Sequence, residues 1–341
     1  MNVTVRLLSG ADHLSQILTG FQMLSRENKL TLDILDCRKD SSVYQEAFLE
    51  AQVNGIRILF DLMDGYWYNR PETVFPLYHS ADIVFKRSFS SVKNSKVFGA
   101  FSEKIHPLGF NYQVLCPGSP LIGTTSKKKK KKKRIKGVTC YVSDYEAKMM
   151  HVSARPRILF ITRLWDPAEP VVQTDSELVR QWGEINEMRM LLVRKLRATF
   201  PGQFIGGIQD SPYAQTQCPD LILSEHSTWK RIYLHRMKHS EICIASIGLH
   251  QSSGWKIAEY LAAGRAIVSE PLCYEVPGPF QAGENYLTYT SADGCIEQIR
   301  TLLAHPEQIL QMEQRNRAYY DEWLRPDQIV AKALEQAKIL L

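Results

Sequence analysis

Two hydrophobic periods alternate along the chain. Asn2 to Leu8 is an apolar run with strand spacing, and beyond the turn Ser9, Gly10, Ala11, Asp12 and His13 the residues Leu14, Ile17, Leu18, Phe21 and Leu24 fall on one helical face. Leu30 to Leu35 predicts the next strand, Val43 to Val53 a helix, and Ile56 to Phe60 a third strand that ends at Asp61, Asp64 and Gly65. Thr73 to His79 reads as a helix, and Ala81 to Phe85 as a strand followed by Lys86, Arg87 and Ser88. Strands alternating with helices predict an α/β fold, a parallel sheet covered on both faces. In such a sheet the ligand crevice lies at the carboxyl ends of the strands, which is where Gly10, Asp12, His13, Asp64, Lys86 and Arg87 would gather.

The period fails beyond Gly109, where Pro117, Gly118, Pro120, Gly123 and a lysine run interrupt it, and residues 110 to 155 read as loop, linker and crossover. It returns at Arg157 to Thr162, RILFIT, which opens a second α/β domain with Arg163 just past its first strand. Glu177 to Phe200 predicts a long amphipathic helix. Short strands are expected at Gln203 to Ile208, Leu221 to Leu223 and Glu241 to Ala245, with a helix over Thr228 to Met237. The tail reads as a strand at Tyr286 to Tyr289 and helices from Asp293, Pro306 and Pro326 onward. Two domains are expected, 1–155 and 156–341, each Rossmann-like and doubly wound, with a helical tail.

The richest stretch is Gly248 to Pro271, GLHQSSGWKIAEYLAAGRAIVSEP. It predicts a strand end, a polar loop, a helix starting near Ser253, a glycine turn and a buried strand. Hydroxyls of Ser252 and Ser253, a helix start and Lys256 suit a phosphate, and Glu259 suits a ribose diol.

Composition is that of an ordinary globular chain of 341 residues with formal charge +6. Nine positive charges lie within residues 127 to 136, so the remainder is near neutral or slightly acidic, and the basic balance does not by itself imply a nucleic-acid surface. Lys127–Lys133 reads either as a solvated loop or as a contact for an anionic membrane face or polyanionic acceptor. Seven scattered cysteines without paired spacing suggest reduced thiols, and the absence of an 18-residue apolar run leads to the expectation of a cytoplasmic protein, at most peripheral to a membrane. No P-loop, G-x-G-x-x-G, G-x-S-x-G, H-E-x-x-H or D-x-D pattern occurs, so no cofactor and no metal are expected.

At Trp255 to Pro271 the chain resembles the carboxyl-terminal domain of GT-B glycosyltransferases, whose two Rossmann-like halves face each other across a nucleotide-sugar cleft. Their signature has two glutamates separated by seven residues, the second on a helix before an A-x-G turn and an apolar strand. AEYLAAGRAIVSEP supplies the second as Glu259, whereas Gln251 stands where the first is expected. GENYLTYTSADG, with Asn316, Tyr319 and Tyr320 beyond it, also looks like the tail of bacterial sugar transferases.

The resemblance implies a metal-independent glycosyl transfer in glycan or polysaccharide assembly, with Gly10, Arg163, Ser252, Ser253, Lys256 and Glu259 holding the nucleotide-sugar donor. The catalytic candidates are Asp12, His13 and Asp64. Asp12 reads equally as a helix cap and Asp64 as a turn residue. The acceptor would be a glycan, a lipid-linked glycan or a hydroxylated base of DNA, and a non-catalytic nucleotide-sugar-binding protein is the alternative to an enzyme.

Overall fold

The computed structural model describes residues 1–68, 71–122, 140–148, 152–173 and 175–338. The predicted lysine run Lys127–Lys133 lies outside them. The first domain carries β1 (Asn2–Leu7), α1 (Ser15–Arg26), β2 (Thr31–Asp36), β3 (Phe48–Val53), β4 (Ile56–Asp61), α2 (Pro71–Ser80), β5 (Ile83–Lys86), α3 (Ser91–Phe98) and β6 (Ile105–Pro107). Its sheet order is β2-β1-β3-β4-β5-β6.

The helix expected over 43–53 is in fact strand β3, antiparallel to both β1 and β4, so this sheet is mixed. Asn54 and Gly55, both at left-handed φ (49° and 90°), make the two-residue turn that folds β3 back on β4. Glu50, which helical spacing would place outward, is buried between Arg6 at 2.9 Å and Arg57 at 3.0 Å.

After α4 (Val142–Tyr145) the second domain runs β7 (Ile158–Thr162), α5 (Pro170–Gln173), α6 (Ser176–Thr199), β8 (Phe204–Ile208), α7 (Pro212–Gln217), α8 (Lys230–Lys238), β9 (Ile242–Ala245), α9 (Lys256–Ala262), β10 (Ala266–Ser269) and β11 (Tyr286–Thr288). Helices α10 (Ala292–Ala304), α11 (Pro306–Tyr319) and α12 (Pro326–Lys338) follow. All strands of this sheet are parallel, in the order β11-β10-β9-β7-β8. The chain leaves β7 in one direction to β8 and in the other to β9, so a crevice opens at their carboxyl ends, the point where such sheets bind ligands. The third expected strand, at 221–223, is reduced to a bridge from Ile222 to Ile208.

Two Rossmann-like α/β domains therefore face each other, the architecture that the sequence predicts. The tail locks them together. Ile329, Val330, Ala333, Leu334 and Ala337 of α12 join the core of the first domain around Ile17, Leu18 and Phe21 of α1, and Gln16 donates to the Leu324 carbonyl at 2.9 Å. Phe110, Tyr112 and Val114, in the segment read as linker, pack instead into the second domain's core.

Candidate functional site

The parallel sheet sets out its charges around the β7/β9 crevice. Arg163 follows β7 and is exposed, its guanidinium 3.8 Å from the centre of the Trp165 ring. Below it Arg189 of α6 is buried and joins the two strand ends, with Nη1 donating to the Arg163 carbonyl at 2.8 Å, Nη2 to the Ile247 carbonyl at 3.1 Å and Nε to Ser246 Oγ at 3.1 Å. Burial lowers its pKa to about 10, which leaves it cationic at neutral pH. Glu270, at the end of β10, accepts from the Ile247 amide at 2.9 Å, and burial pushes its carboxyl up. Neither Arg189 nor Glu270 stood out in the sequence, because each lies on an ordinary helix or strand end and acquires its place only when β7, β9 and β10 come together.

The loop after β9 is tightly wound. The Gly248 amide donates to the Ser252 carbonyl at 2.7 Å, and His250 and Gln251 both hold left-handed φ angles of 54° and 62°. Two consecutive non-glycine residues in that region store strain, and such strain gathers at binding sites. Helix α9 starts only at Lys256 and has seven residues, so Ser252 and Ser253 lie in the loop before it. That corrects the expected helix start near Ser253.

Lys256 is half-buried, its ammonium 4.8 Å from the centre of the Tyr233 ring, and burial brings its pKa down to about 8. Glu259 is buried, with Oε1 accepting from Lys230 Nζ at 2.6 Å and Oε2 from the Tyr233 hydroxyl at 2.6 Å. Each oxygen keeps room for one further donor. Lys230 and Tyr233, at the start of α8, are partners that the sequence did not reveal.

The first domain answers from across the cleft. Lys86 is fully buried and donates to Asp61 Oδ2 at 2.6 Å, to the Gly65 carbonyl at 2.9 Å and to the Tyr68 hydroxyl at 3.0 Å; Tyr68 (3.0 Å) and Tyr78 also bond to Asp61. Lys86 was expected to line the ligand crevice, and instead this network encloses it. Its bond to Gly65 fixes the loop that carries Asp64. Asp64 pairs with Arg87 at 2.7 Å. Burial opposes its charge, but Arg87 first, then His13 and the Ser252 hydroxyl, hold the carboxyl below its ordinary range.

His13 meets Trp255 edge-on, ring centres 5.2 Å apart. Burial and then repulsion by Arg87 bring its pKa to about 4, with Asp64 pulling the other way, so it is a neutral imidazole at pH 7. The two domains thus touch directly, and the Trp67 ring lies parallel over His250 at 5.6 Å.

Residues 190–335 match the family described as Glycosyl transferase-like. The match covers most of the second domain and lies wholly within it. Ser252, Ser253, Lys256 and Glu259 lie inside the matched span, and Arg163 and Arg189 precede it. No match was found among curated proteins. Solved structures similar to this chain include Anabaena HepE in complex with UDP and glucose, at 10% identity and TM-score 0.44 over 78% of this chain and 65% of that one. Sucrose-phosphate synthase from Thermosynechococcus elongatus matches at 8% identity and TM-score 0.44, over 94% and 71%. A third is a mutant of S. aureus TarM in complex with fondaparinux, alpha-GlcNAc-glycerol and UDP, at 11% identity and TM-score 0.44, over 80% and 47%. The chain spans about 65% of the length of HepE.

Around the second domain's sheet the cleft places Arg163, Ser252, Ser253, Lys256 and Glu259 on one side and His13 and Asp64 on the other. A side chain at Gly10 would first meet the Tyr44 hydroxyl, at 3.7 Å. Asp12 opens the short turn before α1, which begins at Ser15, and burial raises its carboxyl pKa against the pull of the Gln113 side chain. No described helix is long and apolar enough to cross a membrane.

Proposed function

We propose that the protein transfers a sugar from a nucleoside diphosphate donor to an acceptor hydroxyl, as a metal-independent transferase of glycan or polysaccharide assembly. The observation that carries this is the placement of Arg163, Ser252, Ser253 and Lys256 at the switch point of the parallel sheet, opposite a neutral His13. In the transfer the acceptor oxygen bonds to the anomeric carbon while the bond from that carbon to the diphosphate breaks, its electron pair leaving with the diphosphate. The developing charge falls to Arg163, Lys256 and the two serine hydroxyls, which need no metal to meet it. Glu259 accepts from the ribose diol with the oxygens' remaining capacity. His13, uncharged at neutral pH, receives the acceptor's proton, and Asp64 stabilises the resulting imidazolium.

Calorimetric titration with UDP, GDP, ADP and TDP tests the donor half. Arg163→Ala is expected to weaken the best of these by at least tenfold, about 1.4 kcal/mol, and unchanged affinity would overturn the reading. For the acceptor half, His13→Gln is expected to lower kcat while leaving nucleotide affinity intact.

A further inference from the structure

The cleft between the two domains is already occupied by the protein's own charge. Asp64 reaches out of the first domain on the loop after β4, and five groups act on its carboxylate. Arg87 holds it at 2.7 Å, His13 of its own domain adds its pull, and Ser252, Arg163 and His250 of the second domain lie close enough to favour its charge. Three of these, Ser252, Arg163 and His250, belong to the domain that would receive the donor. The loop is pressed hard against its counterpart. A Cβ on Gly65 would lie 2.7 Å from the Cβ of His250, and Gly65 itself holds a φ of 70°. Tyr274 adds a bond from its hydroxyl to the His250 carbonyl at 2.7 Å. Beside this contact lies a pocket of about 290 Å³, open to solvent and bordered by Arg87, Ser253 and Tyr274.

We propose that Asp64 is a built-in stand-in for the donor's phosphate: its carboxylate occupies the anion position of the second domain in the resting protein and must be displaced by the incoming diphosphate. The idea rests on the donor reading above and adds a competitor to it. A carboxylate and a phosphate oxygen accept the same bonds from an Arg fork and a Ser hydroxyl. A diphosphate offers more charge and more acceptor oxygens, so it replaces the carboxylate at a cost in apparent affinity, because the binding-competent open form is only a fraction of the resting population. Once displaced, Asp64 stays beside His13, so the entry of the donor also frees the charge partner that the proton acceptor needs.

Nucleoside diphosphates are the probe, titrated by calorimetry into the full chain. Asp64→Asn keeps the shape and removes the charge, and it is expected to bind the preferred nucleotide at least tenfold more tightly than the parent. Asp64→Ala serves as the second variant should the first not fold. The double variant Arg87→Met with Asp64→Asn keeps the net charge of the parent, and it is expected to retain the gain, which separates relief of the occupant from added positive charge. Small-angle scattering without nucleotide should show a larger radius of gyration for Asp64→Asn. Binding by the variant where the parent shows none also supports the proposal. Equal or weaker binding by the Asp64 variants, with Arg163→Ala still weakening the parent, overturns it and leaves the donor reading standing. Unchanged affinity in Arg163→Ala, or no nucleotide bound by parent and variants alike, overturns the donor reading and the proposal with it.

Discussion

The two sheets present charge at their carboxyl ends in opposite ways. In the first domain Lys86 and Asp61 are both fully buried, and each finds its partners within the same domain. In the second, Arg163 is exposed over Trp165 and Lys256 is half-buried, beside the pair that Lys230 makes with Glu259. A buried, saturated network has nothing left to offer a ligand, and what it does is fix the loop above it. A cation at a rim, stacked on a ring, can still take an anion. The first domain therefore uses this charge to set shape, whereas the second leaves Arg163 and Lys256 accessible at its rim.

Breaking the closed network should give the largest effect. Lys86→Met leaves Asp61 charged and dry, and loss of one partner from a buried pair costs about 3–5 kcal/mol. The urea midpoint should fall accordingly, and a shift no larger than that of a surface lysine variant would remove the distinction between the two sheets. The next effect is smaller and depends on pH. His13 titrates near 6.5 when unfolded and near 4 when folded, because it is buried and faces Arg87, with Asp64 opposing. Between those values the unfolded chain binds more protons, so the stabilisation present above pH 6.5 is lost as the pH falls toward 4. The loss should be on the order of 1–3 kcal/mol. His13→Gln should abolish that slope in unfolding experiments run from pH 7 to 4; an identical slope in the variant would mean that His13 does not titrate where the cleft puts it.

Much of this was legible in the sequence, and the failures have local causes. The second domain was readable because parallel strands buried on both faces give continuous apolar runs, as in Ile158 to Thr162 and Ala266 to Ser269. Strand β3 was not, since Phe48, Leu49, Glu50, Ala51 and Val53 also fit a helical face. The Asn54-Gly55 pair between two short apolar runs was the signal that favours a hairpin. Among the site residues, Arg163, Ser252, Lys256 and Glu259 were found because they flank a recognisable βαβ unit. Arg189, Lys230 and Tyr233 were invisible because their roles depend on long-range packing, as in the bonds from Arg189 to the ends of two different strands. Lys86 was misjudged for the same reason, as its partner Asp61 lies 25 positions away on the neighbouring strand.

Two further tests address the seam where the domains meet. Gly65→Ala forces a side chain into a left-handed backbone position and against His250, and the backbone part alone costs about 1–2 kcal/mol. Part of that cost can be relieved by opening the cleft, so the variant should lose a little stability and gain radius of gyration by small-angle scattering. A stability loss without expansion would place the contact within a rigid body.

The smallest effect belongs to Glu275, on the loop after β10. It reaches across the seam and accepts from the Ser91 amide at 2.7 Å and the Ser91 hydroxyl at 2.8 Å, at the start of α3, while its own amide donates to the Phe89 carbonyl at 2.9 Å. The side-chain bonds are exposed, so water replaces them readily, and Glu275→Ala should cost no more than about 1 kcal/mol. The backbone bond from the same residue survives the substitution. If closure depends on contacts deeper in the cleft, such as Gly65 against His250, this variant leaves the radius of gyration where it was. An expansion matching that of Gly65→Ala would instead make the exposed edge, and not the loop contact behind it, the element that keeps the two domains together.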